Sequence, residues 1–295
     1  MRTARSIATL AAAMVLLGVA PPARAYFERI EVGARGVSLG RAFVASADDA
    51  SALYWNPAGL AALRRPELLL DYARPYVLDD LNEGFGAVAW PLGFGTLAAG
   101  WHHRSVADVV SEDLFSISLA RSGSIGHGPW RIHTGATLKA ARVSYDTTDE
   151  ADYGALTRVT GDAGIIVRGP RLSVGYIVRN IVEPEFDFVS GGGGTPLPRR
   201  FDAGAAYQWH PDSKLVAAVG SGDDDRLDAR IGGEVVFYDV LSVRAGVSDA
   251  RFTGGVGLTA RRWRLDSAFV THPDLGVSYR VSLAVPLGAQ AGESR

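Results

Sequence analysis

The sequence predicts an all-β protein, a transmembrane antiparallel β-barrel of about 14 strands with a short helical N-terminal hatch in its lumen. Two observations indicate this class. Apolar and polar residues alternate in many runs that are separated by turn residues, which is the pattern of strands with one apolar face. After the N-terminal region, no stretch approaches the roughly 20 apolar residues that a transmembrane helix needs. A closed barrel is the other architecture that satisfies every backbone group inside a membrane.

The N-terminus has the three parts of a secretory signal. Arg2 and Arg5 precede an apolar run at residues 7–20, and residues 23–25 (Ala-Arg-Ala) form a small-x-small cleavage site. The apolar run is too short to span a membrane comfortably as an anchor. We therefore expect residues 1–25 to be removed on export, which leaves Tyr26 as the first residue of the mature chain.

Composition excludes several classes of function. Loss of the signal, which contains three arginines and no acid, changes the formal net charge from -2 to -5. No basic surface for nucleic acid is therefore indicated. The chain has no cysteine, so neither disulfides nor thiol chemistry are expected. No spacing typical of a metal site or hydrolase is present, so the sequence predicts no metal, no cofactor and no enzyme.

Alternation is clearest near the C-terminus, in residues 277–287. Val281 and Leu283 share an apolar face there, while Arg280 and Ser282 lie on the opposite face. The same division recurs along the chain and predicts strands centred near Leu70, Ala87, Ala99, Ile117, Ala136, Ile165, Val174, Ala205, Ala217, Ile231, Val243, Val256, Leu265 and Val281. An even number of strands lets a barrel close with both chain ends on the periplasmic side.

The polar face of these strands distinguishes a barrel from a soluble sandwich, which also alternates. This face is rich in Gly and Ser with isolated charges, which suits a crowded, watered lumen. The charges either line a path for a passing molecule or form a paired scaffold in a filled barrel. They include Arg171, Arg179, Asp228, Arg230, Glu234, Arg244, Arg264 and Arg280.

Tryptophans and connections predict the orientation in the membrane. Five tryptophans fall near predicted strand ends, as expected of aromatic girdles at the two interfaces: Trp90, Trp101, Trp130, Trp209 and Trp263. Predicted inner connections are short, whereas most outer ones are longer, at residues 75–82, 103–111, 146–154 and 180–199. In the last of these loops, Phe186, Phe188 and Val189 could form an apolar lip or simply pack within the loop. The acidic residues 223–225 are expected to be a solvated turn, because the spacing of a calcium loop is missing.

Residues 33–63 do not alternate and predict two short helices. Ser46 with Asp49 resembles a capping box, and residues 47–54 are good helix formers. Asn56 before Pro57 is a second start signal, because Asn caps helices well and Pro suits the first helical position.

This segment carries a family resemblance. Residues 33–45 (GARGVSLGRAFVA) and 47–60 (ADDASALYWNPAGL) resemble the N-terminal hatch of the FadL superfamily, closest to its small PorV/PorQ-type branch. Residues 275–283 (LGVSYRVSL) are similar to the last strand of that family. The resemblance implies a hatch at residues 26–66, a barrel of fourteen strands at 67–287 and a tail at 288–295. The matching hatch motif consists of Asp48, Asp49, Trp55, Asn56, Pro57, Ala58 and Gly59.

Two functions follow as expectations for a barrel in the bacterial outer membrane. The first is passage of a small hydrophobic molecule, gated by the hatch. The alternative is a PorV-like docking barrel that presents exported proteins to secretion components without transport of its own. The chain is too short for the long outer loops with which larger FadL transporters gather substrates, which argues against fatty-acid uptake. A soluble secreted β-protein is a third interpretation.

Overall fold

Fourteen antiparallel strands close into one barrel in the computed structural model, which describes residues 26–27, 30–107, 109–145, 154–188, 194–221, 227–249 and 251–288. The first seven strands are β1 (Glu67–Arg74), β2 (Leu81–Leu92), β3 (Gly95–Val106), β4 (Val110–Ser124), β5 (Arg131–Tyr145), β6 (Ala155–Arg168) and β7 (Leu172–Arg179). A hairpin outside the barrel follows, with β8 (Glu185–Phe186) and β9 (Thr195–Pro196). The other barrel strands are β10 (Arg200–His210), β11 (Ser213–Ser221), β12 (Leu227–Phe237), β13 (Leu241–Ser248), β14 (Arg251–Ala260), β15 (Trp263–His272) and β16 (Gly276–Pro286).

The barrel closes between its first and last strands. Leu69 of β1 lies opposite Ala87 of β2 on one side and Ala284 of β16 on the other. Every barrel strand therefore has two hydrogen-bonded neighbours, and the sheet has no edge. The predicted count of fourteen strands is confirmed, and each predicted centre lies within a barrel strand.

The outer surface of the barrel is apolar, as the alternation predicts. In β16, Tyr279 and Val281 are 56% and 49% exposed, whereas Arg280 and Ser282 are 5% and 2% exposed. The charged residues therefore point into the lumen and the apolar ones point out. A soluble sandwich requires the reverse, with its apolar faces inside, so this arrangement excludes it. An outward apolar belt around a closed antiparallel barrel is the architecture of outer-membrane proteins.

The two ends of the barrel differ in their connections. At the end where β1 begins, here called the inner end, the connections are mostly short, such as residues 93–94, 211–212 and 261–262. The opposite, outer end carries the longest connection, residues 180–199. The predicted outer loop at 103–111 is wrong in extent, because β3 and β4 leave only residues 107–109 between them. The charged residues in this stretch suggested a loop, but Arg104 belongs to β3 and faces the lumen. It pairs there with Glu83 of β2.

All five predicted girdle tryptophans are exposed on the outer surface. Trp101 nevertheless lies in the middle of β3, because that strand continues to Val106. Its expected position at a strand end is therefore wrong.

Within the described residues, helical structure is confined to short pieces. Two α-helices, Ala34–Ser38 and Ala52–Trp55, precede a 3-10 helix at Pro57–Ala62, and a second 3-10 helix, Pro75–Val77, follows β1. No helix among the described residues is long and apolar enough to cross a membrane. The predicted signal at residues 1–25, the acidic run at 223–225, Val189 and the tail beyond residue 288 lie outside the described residues.

Candidate functional site

Residues 30–63, called the lumen segment, lie inside the barrel with most of their side chains buried. The chain enters near the outer end, where the Phe27 backbone N–H donates to Glu112 Oε2 at 3.1 Å. Farther along, the Ala50 N–H donates to Glu67 Oε1 at 2.8 Å, where β1 begins. The lumen segment therefore crosses the barrel from the outer to the inner end.

Seven lumen-facing glycines allow the lumen segment to lie directly against the strands. A Cβ on Gly175 would lie 2.8 Å from Ala45 Cα, and a Cβ on Gly246 would lie 2.6 Å from the Leu39 carbonyl carbon. These positions leave no room for any side chain, which is one reason for glycine in a strand interior. We call the set the glycine wall; it consists of Gly135, Gly164, Gly175, Gly204, Gly232, Gly246 and Gly255.

Asn56 fixes the bend in the middle of the hatch motif. Its Oδ1 accepts a hydrogen bond from the Ala58 N–H at 3.2 Å, so Asn56 caps the 3-10 helix Pro57–Ala62 as predicted. Its Nδ2 donates to the Val44 carbonyl at 2.9 Å and to the Ile165 carbonyl on β6 at 3.3 Å. One fully buried side chain thus joins two parts of the lumen segment to the barrel.

The neighbouring motif residues pack the lumen segment against itself and the wall. Trp55 is buried, and its Nε1–H donates to the Val32 carbonyl at 2.8 Å. Pro57 lies against Gly135 of the glycine wall, and Gly59 lies against the backbone of Ala47. The residues of the hatch motif therefore form part of one compact folded unit.

The predicted capping box at Ser46 is wrong. The buried Ser46 Oγ has no hydrogen-bond partner among the described residues. Asp49 instead accepts a hydrogen bond from the Ser51 N–H at 3.0 Å and pairs with Arg264 of β15 at 2.7 Å. Because Asp49 is engaged in this way, the helix predicted over 47–54 shortens to Ala52–Trp55.

Asp48, beside it, pairs with Arg35 inside the lumen segment. Burial by itself would raise the pKa of Asp48, but the positive charges of Arg35, Lys214 and Arg168 lower the pKa to about 2. Asp48 therefore carries its charge at any physiological pH.

The predicted lumen charges come together as ion pairs. Arg280 Nη2 lies 2.7 Å from Glu83 Oε2, and Glu83 Oε1 lies 2.8 Å from Arg104 Nη2. Arg280 also pairs with Asp71. We call this group on β1–β4 and β16 the charged wall; it consists of Asp71, Glu83, Arg104, Glu112 and Arg280.

Two further networks contain most of the other predicted lumen charges. One joins Arg179, Asp202, Arg230 and Asp228 on β7, β10 and β12. The other joins Glu234, Arg244, Asp266 and Arg264 on β12, β13 and β15. Arg171 belongs to neither, because it lies exposed in the turn before β7. The pairing favours the paired-scaffold interpretation of these charges.

Two of the three predicted lip residues, Phe186 and Phe188, lie at the outer end. Phe186 is 2% exposed and packs on Tyr26 and Phe27, with ring centroids 5.6 and 6.0 Å apart. Phe188 packs edge to face on Tyr145 of β5 at 4.9 Å. The long outer loop therefore contacts the residues that lead into the lumen segment.

A cavity of about 330 Å³ opens at the outer end above the lumen segment. Its walls are partly apolar, with Val37 from the lumen segment and Val106, Val270 and Leu81 from the barrel. Its polar groups include charged-wall residues that are already ion-paired. The cavity therefore offers an apolar surface with few unsatisfied groups, as small-molecule sites do.

Sequence reasoning missed several contributors. Val37, Arg35 and Arg41 lie within the resembling stretch, but the sequence assigned them no role. Arg35 and Arg41 pair with Glu234 and Asp228 of β12. The glycines on the polar face of the predicted strands were the one sequence feature that could have indicated the glycine wall. Across the described part of the chain, no group of three or more His, Asp or Glu side chains is placed to hold a metal ion.

A closed, fourteen-stranded membrane barrel with a folded N-terminal segment in its lumen can be compared with known proteins. No family model and no curated protein sequence matches the chain. Solved structures do match. The CymD monoaromatic hydrocarbon channel has a TM-score of 0.65 at 12% identity, covering 90% of this chain and 100% of that chain. A TodX deltaS2S3 mutant, also a monoaromatic hydrocarbon channel, has a TM-score of 0.65 at 13% identity, covering 88% and 100%.

A Pseudomonas aeruginosa FadL homologue has a TM-score of 0.58 at 13% identity and covers 90% of this chain and 100% of that chain. The fold is therefore the FadL-type barrel fold. Membership of the PorV/PorQ branch stays a prediction.

Proposed function

We propose that this chain is an outer-membrane barrel through which a small hydrophobic molecule passes, with the lumen segment acting as a hatch. The observation that carries the proposal is the outer cavity, whose floor includes Val37 of the lumen segment. A molecule that enters from outside would reach the hatch through this cavity. Two similar structures are described as monoaromatic hydrocarbon channels, which supports the same class of molecule here.

The size and lining of the cavity suit a small apolar molecule. Its volume of about 330 Å³ lies at the low end of the range for ligand pockets. Because Arg104, Glu83 and Arg280 satisfy one another, an apolar guest that covers these three side chains would not separate an unpaired charge from water. No covalent step is required.

For a molecule to pass, the lumen segment would have to move on the side that faces the charged wall. Below the cavity, the Ala34 N–H donates to Ser282 Oγ, and Ser282 Oγ donates to Asp71 at 2.7 Å. Polar contacts of this kind can exchange partners with water, whereas the glycine wall holds the opposite side of the segment by shape. A displacement on the charged side would open a path without unfolding the barrel.

Uptake by cells tests passage directly. The initial rate of entry of labelled toluene would be measured in cells with the wild type, with Val270→Trp and with Val219→Trp. Val270 lines the cavity, while Val219 is exposed on the lipid-facing surface near the outer end of β11. We expect Val270→Trp to slow entry several-fold by filling the cavity and Val219→Trp to leave it unchanged. Entry no faster than in cells without the protein would contradict passage and favour the docking alternative.

Planar-bilayer conductance tests the hatch. We expect a nearly closed wild type, intermittent opening in the Asn56→Gly/Pro57→Gly variant, and larger steady conductance after deletion of residues 33–63. The double variant removes the cap that joins the lumen segment to β6 and should loosen it. Identical traces from three folded proteins would mean that the segment does not block the lumen.

A further inference from the structure

A second cavity, of about 220 Å³, lies at the inner end of the lumen. It is bounded by the lumen segment on one side and by β6, β7, β10 and β11 on the other. Lumen-facing strand residues line it together with the inner turn at residues 169–171, which places its mouth at the inner end. Its polar lining consists of Ser46, Asp48, Arg168, Arg171, Ser173, Gln208 and Lys214.

The lining has an excess of positive charge. It contains three cationic side chains and one carboxylate, that of Asp48, which is already paired with Arg35. The guanidinium of Arg168 makes one long hydrogen bond, 3.4 Å, to the Ala47 carbonyl. Arg171 has no ion-pair partner among the described residues. The Nζ atom of Lys214 lies 3.0 Å from Glu234 Oε1. Of the three cations, Lys214 is the one that pairs with a carboxylate of the barrel strands among the described residues.

The neighbouring strand increases this excess. Arg131 of β5 lies directly opposite Arg168 of β6 in the strand register. The Arg131 guanidinium donates to Ser124 Oγ of β4 at 2.8 Å and does not line the cavity, so it contributes only to the positive potential at this end of the barrel.

A hydrogen-bonding group also lacks a partner at this site. The hydroxyl of Ser46 is buried, and within the described parts of the chain nothing accepts or donates to it. A buried polar group without a partner is costly, and such groups in folded proteins are commonly satisfied by a ligand or water. Ser173 and Gln208 supply further polar groups from β7 and β10.

We propose that the inner cavity is a binding site for a small oxyanion, a phosphate or carboxylate group presented from the inner side. Arg168 and Arg171 have the planar donor geometry that grips such groups, and Lys214 adds a point charge. The site is separate from the outer cavity and does not depend on the passage of a hydrophobic molecule. Because Ser46 belongs to the lumen segment and the cations belong to the barrel, a bound anion links the two.

Calorimetric titration of the full-length folded barrel in detergent tests the site. The titrants are sodium phosphate and sodium succinate, each compared with sodium chloride at equal ionic strength. We expect saturable heat with one or both oxyanions, and the one that binds identifies the chemical group. Arg168→Gln/Arg171→Gln should weaken this binding at least tenfold.

A matched control removes two positive charges elsewhere at the same end. Arg261→Gln/Arg262→Gln changes the turn between β14 and β15, outside the cavity, and should leave binding unchanged. Ser46→Ala keeps every charge and should weaken binding several-fold. Heat-modifiable gel migration confirms that each variant is folded.

Absence of saturable heat in the folded wild type would overturn the proposal. Equal weakening in the control variant would overturn it too, because general attraction to a basic end would then explain the heat. Toluene entry does not report on this site, so the two proposals can fail separately.

Discussion

The glycine wall and the charged wall hold the same lumen segment in different ways. On the glycine wall, the lumen segment lies directly against the strand backbone, as where Gly246 meets the Leu39 backbone, and no strand side chain intervenes at these positions. On the charged wall, long side chains such as Arg280 and Glu83 reach into the lumen and leave a cavity above them. Close packing dominates on the glycine side, although Arg35 and Arg41 also pair with Glu234 and Asp228 of β12 there. On the charged side the segment is held by hydrogen bonds such as that from the Ala34 N–H to Ser282 Oγ.

The difference indicates where the protein can change. Close backbone packing tolerates almost no displacement, because protein interiors have few voids. Ion-paired side chains can rotate and exchange partners. Motion of the lumen segment is therefore expected on the charged side, with the glycine side as its pivot.

The largest effect should come from breaking the charged wall. Arg280→Met removes the partner shared by Asp71 and Glu83 and leaves two buried carboxylates with fewer contacts. Such a loss costs about 3 kcal/mol in the free energy of unfolding. Urea titration of the barrel in lipid vesicles measures it. Arg280→Lys retains a cation and should lose less; equal losses would mean that charge is unimportant there.

A smaller effect is expected on the glycine wall. Gly232→Ala would place a methyl group against the Leu39 backbone, and overpacking of this kind costs about 1–3 kcal/mol. The adjacent Gly233→Ala is a matched control, because its Cβ would meet Leu215 Cδ2 at an ordinary 3.5 Å. Both variants have the same change in strand propensity. If they unfold at the same urea concentration, the lumen segment does not press on the wall.

The smallest effect concerns Asp48, within the lumen segment itself. Asp48 is charged in the folded protein down to pH of about 2, but in the unfolded chain only above about pH 4. Its ion pair with Arg35 should therefore contribute fully above about pH 4 and be lost as the pH falls toward about 2. Because the Asp48 side chain is 37% exposed, we expect Asp48→Asn to cost about 1 kcal/mol or less. A cost that disappears already at neutral pH would contradict the lowered pKa.

The sequence predicted the barrel better than its contents. Alternation is a local property, so β16 could be divided into lipid-facing Val281 and lumen-facing Arg280 from the sequence alone. The cap at Asn56 was predictable for the same reason, since its partner, Ala58, is two residues away.

Contacts between distant residues were not predictable. The helix Ala34–Ser38 contains Gly36, a poor helix former, and is held by packing inside the barrel. The predicted capping box of Ser46 and Asp49 does not form, because Asp49 pairs with Arg264 of β15, which is far along the chain. Likewise, a glycine on a polar strand face does not reveal that Leu39 lies against it.

The path of the lumen segment constrains the order of assembly. Tyr26 is near the outer end, and the chain then crosses the lumen and emerges at the inner end as β1. The seam that shuts the cylinder is the pairing of β1 with β16, the last strand of the chain. A finished cylinder would have to be threaded along its whole height, past glycines that leave no clearance. The lumen segment must therefore be in position before β1 pairs with β16. The N-terminal part of the chain then acts as a template around which the last strands close the barrel.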